Sequence, residues 1–219
     1  MTEPHFPLLS LSRLRMEVDG EGVTTLIAGA GCPLSCKWCI NKKVLQKAPT
    51  PVTVQELFDR VKIDDLYFQA TGGGVTFGGG ESLLHAEFIH SFRQICGDRW
   101  KIYAETSLHI PRESVDLAAQ CVDGFIVDIK DMDPKIYKAY TGKDSALAYS
   151  NLERLLSLVG GERILVRVPL IPEYNTKEAQ DHSIKKLKAL GFTRLDPFSY
   201  IKLRGVEPDS LSANLLRSF

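Results

Sequence analysis

Three thiols stand within eight residues: Cys32, Cys36 and Cys39 in the segment GCPLSCKWC, spaced C-x3-C-x2-C. They follow directly on a β-branched run, Val23–Ala28. Thiols this close, in a loop flanked by Gly and Pro, can converge on one inorganic centre. A structural zinc takes four ligands, and the nearest histidine in sequence, His85, is far along the chain. A distant ligand folding in would keep zinc open. Soft thiolates clustered in one loop match an iron–sulfur cluster better. A four-iron cluster on three cysteines leaves one iron open to a non-protein ligand. Three unrelated core cysteines would be the plainer reading, but a loop of this composition is a poor place for them. Cys96, on an apolar helical face, and Cys121, before an apolar run, do read as core residues, so one cluster is expected and no second.

A second constellation lies in GGGVTFGGGE, residues 72–81, where two triple glycines flank a short strand. Glycine lets backbone approach a ligand closely; a plain turn is the alternative. Glu81 closes the segment with a carboxylate able to accept from an ammonium group. Further on, Glu105 ends one apolar run, and Asp128 and Lys130 end another. A lysine can pair with a ligand carboxylate, and acidic side chains can hold ribose hydroxyls or a small cation. Surface salt bridging is the usual role of such residues; their position just after buried strands argues against it.

Alternation along the chain sets these positions. Strands are expected over Val23–Ala28, Gly74–Phe77, Lys101–Glu105, Gly124–Ile129, Ile164–Pro169 and Arg194–Ile201. Helical spacing begins near Thr53, with Glu56 as its capping-box partner. It recurs over His85–Cys96, with Phe88, Ile89, Phe92 and Ile95 on one face, then over Pro111–Gln120, Leu147–Val159 and Lys177–Leu190, where Gly191 follows as a stop. Such alternation means parallel β/α units with right-handed crossovers. Eight units close a barrel in roughly 250 residues. The 219 residues here hold about six. The expectation is an α/β fold, an incomplete, laterally open (β/α)6 barrel, as a single domain over residues 1–219. In a parallel sheet the chemistry belongs at the C-terminal strand ends. The cysteine loop, Glu81, Glu105, Asp128 and Lys130 all fall there.

Lys+Arg and Asp+Glu are 27 each, so the net charge is zero, which argues against a nucleic-acid partner held by bulk electrostatics. No apolar run approaches the length of a membrane span. No basic segment precedes the short apolar patch at the N-terminus, so no signal peptide is expected. Odd, clustered cysteines then suit a cytoplasmic chain with metal or redox chemistry.

The cysteine spacing, with the aromatic Trp38 before the third thiol, resembles the radical S-adenosylmethionine superfamily. The resemblance implies one [4Fe–4S] cluster on Cys32, Cys36 and Cys39. It implies S-adenosylmethionine on the open iron, and reductive cleavage to a 5′-deoxyadenosyl radical that abstracts a hydrogen atom. Gly79-Gly80-Glu81, preceded by Gly78, is similar to the motif that receives the methionine amino group. The segments VDGEG, DIKDMDPKIYKAYTGKDSALAYSNLERL and LVRVPLIPEYNT narrow the resemblance, over about Val18 to Tyr200, to the glycyl radical enzyme (pyruvate formate-lyase) activating enzyme family. That implies contacts from Asp128, Lys130 and Glu105 to S-adenosylmethionine or to a monovalent cation near Glu105 and Asp128. It places Arg167 near the cofactor. It also implies an anaerobic enzyme that takes hydrogen from a glycine Cα of a partner glycyl radical enzyme, with electrons from a flavodoxin- or ferredoxin-type donor.

The chain departs from that family's usual pattern at Thr24 and Ala28, at Ile40, Lys42 and Lys43 after the last thiol, at Gly78 and Ser82, at Glu105-Thr-Ser-Leu108, and at Ser199, where a histidine is usual. These changes surround the site and bear on the partner. Two other readings stay open. One keeps the radical chemistry but acts on a short peptide or small metabolite. The other is a non-catalytic metal-binding or sensing protein, which would have no use for Glu81, Asp128 and Lys130 at strand ends.

Overall fold

The computed structural model describes residues 4–200; Ile201, the last residue of the sixth expected strand, lies outside them. Eight strands form one sheet: β1 (Phe6–Met16), β2 (Val23–Gly29), β3 (Thr50–Val52), β4 (Gly74–Gly79), β5 (Lys101–Thr106), β6 (Gly124–Asp128), β7 (Ile164–Leu170) and β8 (Arg194–Ser199). Their order is β3-β1-β2-β4-β5-β6-β7-β8. The six expected strands are β2 and β4 to β8, each parallel to its neighbour. β3 and β8 stay at opposite edges, so the sheet curls into a partial barrel and leaves one side open.

Two strands were not expected. FPLLSLSRLRM, with its Leu, Ser and Arg, lacks the β-branched run that marks the others, yet it forms the long β1. A hairpin pairs β1 antiparallel with β2, and the short β3 adds to its far side. Tertiary pairing here overrides weak intrinsic preference.

Period-two alternation sorts the strand residues between two faces. Ile27, Val75, Phe77, Ile102, Ala104, Phe125, Val127, Val166 and Val168 are fully buried beneath the helices. The helices are α1 (Lys42–Leu45), α2 (Val54–Val61), α3 (Asp65–Thr71), α4 (Ala86–Cys96), α5 (Arg112–Cys121), α6 (Pro134–Thr141), α7 (Ala146–Val159) and α8 (Lys177–Ala189). The Thr53 capping box forms as expected, Thr53 Oγ1 accepting from Glu56 N at 3.2 Å and Glu56 Oε2 from Thr53 N at 2.8 Å. On α4, Phe88, Ile89, Phe92 and Cys96 are buried, whereas Ile95 is exposed. Phe88 and Phe92 join an aromatic cluster with Phe6 and Phe77. The other face of the sheet carries Glu105, Arg167 and their neighbours into the barrel lumen. The β1–β2 turn closes that lumen from below, Thr76 Oγ1 donating to the Asp19 carbonyl.

Helix α6 was also missed. Its sequence, PKIYKAYT, mixes aromatics with a β-branched end. Its ends are nonetheless well specified. Asp133 caps it by accepting from Lys135 N at 2.7 Å, Pro134 opens it, and Gly142 terminates it at φ 77°.

Candidate active site at the strand ends

The cysteine loop leaves the C-terminal end of β2, and three elements hold its backbone. Ser35 N donates to Thr141 O at 3.0 Å and Lys37 N to Tyr140 O at 3.1 Å, so carbonyls at the end of α6 find their partners in the loop. Tyr140 reaches back with its hydroxyl to the Trp38 carbonyl, 3.0 Å away. Past the last thiol, Asn41 Nδ2 donates to Gly79 O at 2.7 Å. At the base of the loop, Gly80 N and Glu81 N donate to the carbonyls of Gly29 and Gly31 at 3.0 and 2.8 Å. His85 lies 3.1 Å from the Ala30 carbonyl through Nε2, a brace on the loop.

The glycines before Glu81 answer to this packing. A Cβ on Gly80 would lie 2.1 Å from the Gly31 carbonyl oxygen, and one on Gly78 would lie 2.6 Å from Glu105 Oε2. The close approach they permit is to the chain's own cysteine loop and to Glu105.

Glu81 is buried, and its carboxylate clamps two strand ends together. Oε1 accepts from Thr106 Oγ1 at 2.6 Å and Leu83 N at 3.2 Å; Oε2 accepts from Ser107 N at 2.8 Å and Ser107 Oγ at 2.6 Å. Burial pushes this carboxyl above the usual range, against the pull of those bonds. Deleting the carboxylate leaves buried donors without an acceptor, at about 1–3 kcal/mol for each one. Glu81→Ala is therefore expected to lower the unfolding free energy by about 2–4 kcal/mol in urea titration. A loss under half a kilocalorie would mean that water replaces the carboxylate.

Glu105 points into the lumen, where Arg167 meets it. Arg167 Nη1 donates to Glu105 Oε1 at 2.6 Å and Nη2 to the Val18 carbonyl at 2.9 Å. Asp19 Oδ1 lies 3.9 Å from Nη2, and Arg15 pairs with the same aspartate. Burial opposes the Arg167 charge, and Glu105, Asp128 and Asp19 more than offset it, so the guanidinium is held above its ordinary value. Glu105 moves upward too, chiefly by burial, with Arg167 opposing. Asp19 had no assigned place in the site; its only signal was the VDGEG segment.

Asp128 and Lys130 follow one another off the end of β6, with Lys130 Nζ 3.6 Å from Asp128 Oδ2. Burial works against the ammonium, but Asp128, Tyr200, Cys36 and Tyr140 around it more than compensate, so it stays charged. Lys130 and Asp128 thus lie within electrostatic range of Cys36. Burial pushes the Cys36 thiol up to about 11, and Lys130 opposes that rise. Desolvation raises the Cys32 thiol, Glu81 and Cys39 add to the rise, and Lys130 opposes it. The fold thus brings Cys32, Cys36, Cys39, Glu81, Asp128 and Lys130 to one end of the sheet.

None of the three thiols is in a disulfide. Among the described residues, no three His, Cys, Asp or Glu side chains are drawn together around a single metal ion. A four-iron cluster asks for something else, since each thiolate takes its own iron and the sulfurs stand apart. An unlinked trio of soft donors on a braced loop fits that group. A charged lysine beside them, and a buried Tyr137 hydroxyl without a partner among the described residues, fit a cofactor that brings a carboxylate.

The departures from the family pattern scatter around this end and the lumen. Thr24 is buried in β2 with its hydroxyl unpartnered among the described residues, Ala28 lies beside Gly78, and Ile40 and Ser199 are exposed. Cys96 and Cys121 are both buried away from the loop. No helix among the described residues is long and apolar enough to cross a membrane.

Comparison with known proteins agrees with this geometry. A model of the radical SAM superfamily matches residues 26–195. The (2S)-3-sulfopropanediol dehydratase activating enzyme of Klebsiella oxytoca is 32% identical, over 84% of this chain and 81% of that one. The pyruvate formate-lyase-activating enzyme of Clostridium pasteurianum is 29% identical, over 78% of this chain and 70% of that one. Among solved structures, Streptococcus suis SuiB bound to S-adenosylmethionine superposes with a TM-score of 0.62 at 12% identity, over 82% of this chain and 40% of that one, a likeness of fold. Membership in the matched superfamily implies S-adenosylmethionine and a [4Fe–4S] cluster as cofactors. With its cysteine loop on the first parallel strand of an open partial barrel, the chain belongs to the radical SAM superfamily, in the family of glycyl radical enzyme activating enzymes.

Proposed function

We propose that this chain abstracts a hydrogen atom from a glycine Cα of a partner glycyl radical enzyme. The observation that carries the proposal is the braced C-x3-C-x2-C loop beside Lys130 in a barrel open on one side. Cys32, Cys36 and Cys39 would hold the cluster, and Lys130 the carboxylate of S-adenosylmethionine. Gly78, Gly79, Gly80 and Trp38 would shape the cofactor's surroundings. Asp128 and Glu105 face the same end of the lumen. When bound, the cluster and S-adenosylmethionine supply reductive cleavage of the sulfonium and hydrogen-atom abstraction.

The chain's own part is positional. Glu81 locks the ends of β4 and β5, α6 fixes the cysteine loop, and Arg167 balances the acids of the lumen. The chemistry needs no general base. A monovalent cation near Glu105 and Asp128 would be held by their carboxylates, whose neighbouring charges are Arg167 at 2.6 Å and Lys130 at 3.6 Å. Electrons would come from a flavodoxin- or ferredoxin-type donor. The substrate would be a polypeptide loop entering between the edges of the sheet, since a metabolite pocket would need that side covered to exclude water. The single domain would span residues 1–219.

Anaerobic incubation with dithionite, S-adenosylmethionine and a candidate partner, starting with (2S)-3-sulfopropanediol dehydratase and pyruvate formate-lyase, tests the reading. A glycyl radical in electron paramagnetic resonance supports it. Turnover of a small molecule with no protein radical across a wider partner panel would move the answer to a metabolite. Lys130→Ala is expected to weaken S-adenosylmethionine binding by about 1.5–3 kcal/mol, the worth of a charge-assisted bond. Equilibrium binding measures it, and unchanged affinity would place Lys130 outside the cofactor site.

A further inference from the structure

One buried polar group at this end of the barrel has no role so far. Helix α6 turns Tyr137, Tyr140 and Thr141 inward, the i, i+3, i+4 spacing of a single face. Tyr140 and Thr141 hold the cysteine loop. Tyr137 packs edge-on against Tyr149, ring centroids 5.8 Å apart, and is fully buried. The Tyr149 hydroxyl donates to the Asp131 carbonyl at 2.7 Å. The Tyr137 hydroxyl has no hydrogen-bond partner among the described residues.

Native structures seldom leave such a group unsatisfied, because the lost hydration is not replaced. A phenylalanine would fill the same space without that penalty, so the oxygen calls for a partner beyond the described residues. The charged and titratable groups that face it are Lys130 first, then Cys36, Tyr149 and Glu81. No thiol lies within bonding reach of it. Glu81 already accepts four bonds from Leu83, Thr106 and Ser107. The remaining fit is an acceptor that the Lys130 ammonium would attract as well, an anionic oxygen. Burial raises the Tyr137 hydroxyl above a tyrosine's ordinary value, which keeps it a donor at neutral pH.

We propose that the Tyr137 hydroxyl donates a hydrogen bond to the carboxylate of the methionine moiety of S-adenosylmethionine, the group that Lys130 would also hold. This rests on the cofactor site proposed above. Lys130 supplies charge on a flexible stem. Tyr137 supplies direction, because its ring is buried and packed against Tyr149.

Tyr137→Phe removes one oxygen and keeps the ring packing. Anaerobic equilibrium binding of S-adenosylmethionine, methionine and 5′-deoxyadenosine to the cluster-loaded variant is the test. Affinity for the first two should fall about tenfold, while 5′-deoxyadenosine, which has no carboxylate, should bind as to the parent protein. Iron content and the reduction potential without S-adenosylmethionine should not change. A shifted potential with unchanged S-adenosylmethionine affinity would mean that the hydroxyl faces the cluster, and the proposal would be wrong. No change in either would mean that water satisfies the hydroxyl, which also overturns it. A parent protein that binds no S-adenosylmethionine would overturn the cofactor site itself, before any variant is compared.

Discussion

Alanine in place of Cys32, Cys36 or Cys39 should leave a protein that takes up almost no iron. The parent, reconstituted under the same anaerobic conditions, should hold about four irons and four sulfides. The expected loss is nearly complete because three ligands are all that the loop offers a cluster with one open iron. Cys96→Ala and Cys121→Ala are the controls. Their thiols are buried, Cys96 against the α4 carbonyls and Cys121 against those of α5, so iron content should stay at the parent level. Chemical iron and sulfide analysis with the visible absorption spectrum distinguishes the two sets. Stoichiometric zinc without iron in the anaerobically purified parent would sink the assignment.

Removing the Arg167 side chain should have the largest effect on stability. Its guanidinium sits among Glu105, Asp19 and the Val18 carbonyl. Arg167→Ala leaves the lumen-facing Glu105 without its counter-charge, while Asp19 keeps Arg15; deleting one partner of a buried pair costs about 3–5 kcal/mol. Arg167→Lys should recover little, because two separate nitrogens serve Glu105 and Val18 and an ammonium lacks that fork. The deficit should shrink in acid. Glu105 has a folded value above its unfolded one, so the folded state binds the extra proton in the window between them. Stability from that group is present below the unfolded value and is lost as pH rises through the folded one. Without Arg167 the window widens upward, and urea titrations at several pH values should show the variant nearing the parent toward acid pH. A constant deficit across pH would show that Glu105 is not the group left stranded.

How much of this was legible depended on the kind of signal. The six parallel strands advertise themselves as runs such as VTTLIA and ILVRVP, where burial on both faces demands apolar residues in a row. β1 does not, because it borrows its stability from the pairing with β2. The thiols and the strand-end charges were legible since their types and order are local. The task of Glu81 was not: its four donors come from Leu83, Thr106 and Ser107, and only β4–β5 pairing brings the last two near. Asp19 carried no signal beyond the VDGEG segment, and becomes a lumen residue because the hairpin folds beneath the sheet. Nothing in KIYKAY marks Tyr137 apart from Tyr140; only the fold separates the partnered hydroxyl of Tyr140 from that of Tyr137, which has no partner among the described residues.

The bonds from Ser35 and Lys37 to the end of α6 bear on assembly. In a zinc finger the metal organises the chain, and removing it unfolds the domain. Here the thiol loop is tied to α6 by backbone bonds that need no metal, so part of its ordering entropy is met in ordinary folding. Oxygen or a chelator that strips the cluster should therefore leave a folded, refillable protein rather than a denatured one.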